Sequence, residues 1–160
     1  MILVVMGVTG AGKTTVGRLL AQELGWEFEE GDDFHSAANI ERMRRGIPLS
    51  DEDRQPWLER LRGEIAKHDA ERRNLVLACS ALRKSYRTML TVGAGVKFVY
   101  LKGDAERIAE RLKTRRGHFA DEKILPAQFA DLEEPDTAVL VDINATPQEI
   151  VNQIRKQLGI

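Results

Sequence analysis

Apolar residues recur along the chain in two rhythms. Ile2 to Met6 is an unbroken run of strand-forming residues, the pattern of a strand buried on both faces of a parallel sheet. After a glycine-rich loop, Val16, Leu20 and Leu24 follow at helical spacing with Leu19 beside them, and Gly25 supplies a stop. Trp26 to Glu30 predicts a second, weaker strand. The middle of the chain is polar and mostly helical: Ser50 and Asp53 form a capping box, and Trp57, Leu61 and Ile65 share one face with Leu58 adjacent. Leu75 to Cys79 and Val96 to Leu101 are two more buried strands. Asp104 caps a helix carrying Ile108 and Leu112, and Val139 to Val141 marks a last strand. Thr146-Pro147-Gln148-Glu149 then opens a final helix striped by Ile150, Ile154 and Leu158. Strands alternating with helices imply parallel βαβ units, about five strands and a layered α/β fold.

Composition narrows the class. The chain has 160 residues, 42% hydrophobic and 31% charged, which suits a single globular domain over 1–160. A chain of this length buries about 70% of its unfolded surface, so it needs no disulfide or structural metal to hold a core. Twenty-four basic and 25 acidic side chains give a net charge of -1, which argues against nucleic acid as a partner. The lone cysteine, Cys79, forms no internal disulfide. The opening apolar run is too short to span a bilayer, so no membrane is expected and a cytoplasmic setting is the default. Charge is nevertheless segregated. Glu27 to Asp33 holds five acids and no base, whereas Lys102 to His118 holds six basic and three acidic residues.

The strongest chemical signal is Gly7-Val8-Thr9-Gly10-Ala11-Gly12-Lys13-Thr14. It matches G-x-x-x-x-G-K-[ST] between a buried strand and an amphipathic helix, the context of a P-loop. Glycines let the backbone curl around a phosphate with its N–H groups inward, and the helix start at Lys13 to Thr15 adds its positive dipole end. Lys13 is expected to reach the β- and γ-phosphates of ATP, and the Thr14 hydroxyl to ligate Mg²⁺. A guanine-specific switch would carry N-K-x-D and D-x-x-G, and neither occurs. The strand ending at Cys79 also lacks the terminal aspartate of a motor ATPase. A small-molecule kinase is favoured.

Gly31-Asp32-Asp33-Phe34-His35 follows the second strand, where an open parallel sheet binds ligands. Asp32 there can orient an acceptor hydroxyl and take its proton; an Asx turn or helix cap is the competing reading. His35 is either loop surface or a substrate contact.

With these residues in view, the chain resembles the P-loop gluconokinases of the thermoresistant type. The resemblance starts with Gly7 to Thr14 and Gly31 to His35. It continues through Asn39-Ile40-Glu41-Arg42-Met43, Gly46-Ile47-Pro48-Leu49 and Asp51 to Leu58, then Cys79-Ser80-Ala81-Leu82-Arg83-Lys84-Ser85-Tyr86-Arg87. Tyr100 to Gly103, Arg115 to Phe119, Gln128-Phe129 and Leu132 to Pro135 complete it. It implies a nucleoside-kinase-like three-layer α/β/α P-loop NTPase fold with a five-stranded parallel sheet of order 2-3-1-4-5. It also implies ATP- and Mg²⁺-dependent phosphorylation of D-gluconate to 6-phosphogluconate, and a homodimer. Ser36 stands where the family commonly has proline, and Arg83 where lysine is usual. A kinase of another polyol, sugar acid or nucleotide, or a non-catalytic ATP-binding module, is the alternative.

Gluconate needs cations at its carboxylate end and an acceptor carboxylate at the other. Candidate contacts are Arg54, Lys84, Arg87, His35 and Ser80, with Arg83 nearby; each arginine or lysine is equally read as a solvated helix charge. Trp57 and Tyr86 suit core or pocket wall. Arg111, Arg115 and Arg116, followed by Gly117-His118, predict a mobile cationic lid around 111–125. In it Arg115 stacks on adenine, Arg111 or Arg116 reaches phosphate, and His118 positions the lid and is a candidate substrate contact. Charges completing a helix C-terminus are the competing reading.

Overall fold

The computed structural model describes residues 1–115 and 119–160, so His118, with Arg116 and Gly117, lies outside the described residues. Five parallel strands form one sheet: β1 (Ile2–Met6), β2 (Glu27–Glu30), β3 (Leu75–Ala78), β4 (Val96–Lys102) and β5 (Val139–Asp142), in the order β2-β3-β1-β4-β5. The sheet order matches the expectation. Central β1 sits between β3 and β4, with Val4 opposite Leu77 on one side and Phe98 on the other.

Seven helices flank the sheet among the described residues: α1 (Lys13–Leu24), α2 (Ala37–Arg44), α3 (Asp51–Ala70), α4 (Lys84–Leu90), α5 (Ala105–Thr114), α6 (Phe119–Asp131) and α7 (Pro147–Leu158). Successive side chains of a strand point to opposite faces, and β1 therefore feeds two cores. Leu3 and Val5 join Leu20, Val76, Val99, Ile108 and Ile154 beneath α1, α5 and α7. Ile2, Val4 and Met6 join Trp57, Leu61, Ile65, Leu77 and Leu90 beneath α3 and α4. All five residues of β1 are buried, which explains their unbroken apolar run.

The helix starts follow their caps. Ser50 and Asp53 exchange side-chain and backbone bonds at α3, as Thr146 and Glu149 do at α7, where Pro147 opens the helix. The Asp104 side chain accepts from the Arg107 amide at α5. Ser36 caps α2, its Oγ accepting from Asn39 N at 3.1 Å, so the residue that departs from the family's proline starts a helix. No helix among the described residues is long and apolar enough to cross a membrane.

Candidate active site

The loop from Gly7 to Gly12 turns from the carboxyl end of β1 into α1. Gly12, the residue before α1, has φ 96°, and a Cβ there would meet nothing within 4 Å. The helix start carries no side-chain cap, so the first-turn amides of Lys13, Thr14 and Thr15 present their dipole end to a phosphate. Lys13 Nζ donates to the Val8 carbonyl at 2.9 Å, which curls the side chain back over the loop. Val8 and Ala11 are buried and anchor the loop in the core. Gly10 lies against α5: an added Cβ would stand 3.0 Å from Leu112.

Thr14 Oγ1 donates to Glu30 Oε2 at 2.5 Å. Glu30 ends β2 beside α1. Burial pushes its carboxyl up; the Thr14 hydrogen bond opposes this, and the charge of nearby Asp32 adds to it. A hydroxyl and a carboxylate oxygen are the hard donors that Mg²⁺ takes, and a cation would relieve the repulsion between these two acids. Thr14 and Glu30 therefore fit a magnesium site. Glu30 was not singled out from the sequence because it is one of five acids in a row of seven residues.

Beside the loop opens a cavity of about 340 Å³. Lys13, Thr9, Asp32, His35, Arg54 and Ser80 all line it, with Asp33, Trp57, Tyr86 and Gln128, and an apolar wall that includes Ile40, Ile47 and Leu49. Asp32 sits in a single 3-10 turn, Gly31–Phe34, that continues β2. Gly31 lets that turn press against β3, since a Cβ there would lie 2.5 Å from the Ala78 carbonyl oxygen. Trp57 Nε1 donates to the Gly31 carbonyl at 2.8 Å, and the Trp57 ring stacks on His35 with centroids 4.3 Å apart.

His35 is held neutral. Burial, then the charges of Arg54 and Arg60, push its pKa down to about 4. Asn39 Nδ2, which also donates to the Asp53 carbonyl at 2.8 Å, lies 3.4 Å from His35 Nδ1. A donor at Nδ1 selects the tautomer with its proton on Nε2. Arg54 bonds Tyr86 Oη at 2.9 Å and Asp131 Oδ2 at 3.2 Å, while Tyr86 Oη donates to Asp51. Arg83 Nη2 takes the other Asp131 oxygen at 2.7 Å. The phosphate loop and the cavity wall are tied together by the Thr9 amide, which donates to Gln128 Oε1 of α6 at 2.6 Å.

Two predicted contacts are not brought to this cavity. Arg87 is buried, and its guanidinium donates to the carbonyls of Ala81, Leu82 and Glu133 at 2.9, 3.0 and 2.8 Å. It locks α4 to the chain that follows α6. Lys84 lines a separate groove with Arg87, near Glu133 and Pro135. Of the lid arginines, Arg111 Nη2 donates to the Ile143 carbonyl at 2.6 Å, which fixes α5 to the chain beyond β5. Arg115 is exposed immediately after α5, the helix that packs on Gly10. Asn39 and Gln128 stand within the motifs that carry the resemblance but were given no site role, and Asp131 was not named, because a neutral amide or a lone acid on a helix carries no spacing signal of its own.

Known proteins share this architecture and sequence. The family model described as shikimate kinase matches residues 9–158. A probable gluconokinase of Xenopus tropicalis is 37% identical over 99% of this chain and 93% of its own length. The gluconokinase of Arabidopsis thaliana is 40% identical over 99% of this chain and 92% of its own. The crystal structure of a gluconokinase from Sinorhizobium meliloti 1021 superposes with a TM-score of 0.87 at 41% identity, covering 98% of this chain and 90% of that one.

Proposed function

The chain belongs to the gluconokinase family, and we propose that it transfers the γ-phosphoryl group of ATP to the terminal hydroxyl of D-gluconate, forming 6-phosphogluconate and ADP. One observation carries the mechanism: Lys13 of the phosphate loop, Asp32 beyond β2 and Arg54 of α3 line the same cavity. The first-turn amides of α1 and the Lys13 ammonium hold the phosphate oxygens and offset the charge that builds as the phosphoryl group moves. Mg²⁺, bound through Thr14 and Glu30, would neutralise β- and γ-phosphate charge.

Asp32 accepts a hydrogen bond from the acceptor hydroxyl, aims its oxygen at phosphorus and takes its proton as the new P–O bond forms. The Trp57 bond to Gly31 and the close packing of Gly31 on β3 hold that carboxylate in place. Arg54, partly neutralised by Asp131, meets the sugar-acid carboxylate. Neutral His35 and Ser80 bond its hydroxyls. Arg115 closes over the nucleotide from the end of α5 as part of a lid that excludes water. Homodimerisation, from the family resemblance, belongs to the same proposal, together with the cytoplasmic setting that is the default expectation for this sequence.

The Asp32→Asn variant tests the reading. Turnover of gluconate should fall about 10²- to 10⁴-fold, while ATP affinity, measured by direct titration, changes no more than about threefold. Wild-type turnover in the folded variant removes Asp32 from the mechanism. A panel of sugar acids, polyols, shikimate and nucleoside monophosphates, assayed for acceptor-dependent ADP release, tests gluconate itself.

A further inference from the structure

Adjacent residues of β2 face opposite sides of the sheet. Phe28 and Glu30 face α1, where Phe28 packs on Gly17 and Glu30 bonds Thr14. Glu27 and Glu29 face α3, where they meet His68 and Glu64. On that second face, one ligand atom each from Glu29, Glu64 and His68 lie within 4.8 Å of one another. We propose that these three residues bind a divalent transition-metal ion of the Zn²⁺ class, at a site separate from the phosphate loop and not used in catalysis.

The ligand set is built across two elements. Glu64 and His68 are four residues apart and share one face of α3, and Glu29 reaches them from the strand. Oxygen and nitrogen ligands stand about 2.0–2.2 Å from zinc, so small side-chain rotations close a ring of this size on an ion. The imidazole favours a borderline metal over Mg²⁺ or Ca²⁺.

Two unmet needs point to a cation. His68 is 1% exposed, and both its nitrogens face acceptors: Nδ1 lies 3.0 Å from the Glu64 carbonyl and 3.2 Å from Glu64 Oε1, and Nε2 lies 3.2 Å from Glu27 Oε2. A neutral ring has one N–H, so one of its nitrogens turns a lone pair toward oxygen. In addition, Glu29 Oε2 is buried with no hydrogen-bond partner. One metal ion meets both needs at once, because it takes the His68 lone pair and binds the carboxylates of Glu29 and Glu64, whose charges otherwise repel. Glu27 is already engaged by Arg73 at 2.5 Å, which leaves Glu29 and Glu64 as the anionic ligands.

Bound there, the ion would pin the edge strand that delivers Asp32 to the helix that delivers Arg54 and Trp57. The test uses metal-stripped protein without nucleotide or gluconate, so its result is independent of the reading of the active site. Calorimetric titration with Zn²⁺ should give one saturable equivalent. Zinc at about 100 times its Kd should raise the unfolding temperature by about 5 °C or more. Glu29→Gln and Glu64→Gln, two near-isosteric changes, should each weaken binding at least tenfold, with circular dichroism in EDTA unchanged. Thr14→Ala should leave zinc binding intact. No saturable equivalent would mean that a proton alone completes the cluster, and overturns the proposal. So does zinc binding that survives both glutamine variants, or that is lost with Thr14.

Discussion

His35 shows how much one side chain carries in this pocket. Stacked on Trp57 and shielded from solvent, it takes up a proton at about 4, whereas an ordinary histidine does so at 6.5. Between these values the unfolded chain binds more protons than the folded one, so stability rises with pH across that window. His35 thus contributes fully above pH 6.5, and its contribution is lost as pH falls toward 4, about 3 kcal/mol in all. Replacing it with glutamine should flatten the pH dependence of unfolding free energy between pH 4 and 6.5; denaturant titrations at a series of pH values measure the slope. An unchanged slope would show that other groups set the acid limit. Arg87 is the opposite kind of residue, a cation with a structural task. Arg87→Leu leaves three carbonyls without their donor and should cost about 3 kcal/mol of stability. Its KM for gluconate should stay within about twofold, and steady-state kinetics on the folded variant would expose a larger change.

Among the elements, legibility follows burial. β1, β3 and the cores of α1, α3, α5 and α7 were readable because each buries a continuous run or a regular stripe, and the caps at Ser50, Asp104 and Thr146 mark the starts of α3, α5 and α7. Helix α2 was not located individually. Ile40 and Met43 give it a thin apolar face, and Asn39 ties it to α3 through the Asp53 carbonyl. The phosphate loop was legible as a motif because its spacing is dictated by the phosphate it wraps. The far wall was only half legible. Arg54 and His35 were named and do line the cavity, yet Arg87 and Lys84 were named on the same reasoning and do not. Charge and proximity to Ser80 cannot say which way α4 is rotated; that is fixed by the carbonyls that Arg87 finds. Glu30 was hidden by neighbours of the same charge, and only the alternation of β2 separates its role beside Thr14 from that of Glu29 beside α3.

For the molecule as a whole, two cores share one sheet, and β1 contributes to both. Neither core closes without the other, so unfolding should be a single cooperative transition. Cys79 reports on it. Burial pushes its thiol up to about 12, and the folded chain encloses it at the end of β3. A thiol reagent at neutral pH should therefore label the native protein negligibly and label one equivalent through the unfolding transition, with a midpoint coincident with that of circular dichroism. Rapid labelling under native conditions would mean that the β3 end opens locally.

The stack of Trp57 on His35 has a practical side. Only two indoles are present in the chain, and this one forms part of the wall that a sugar acid would touch. Its emission is sensitive to the polarity of what lies beside it, so the protein carries an intrinsic fluorophore at the pocket proposed to take the acceptor. Filling of that pocket can be followed optically, without a dye and without turnover.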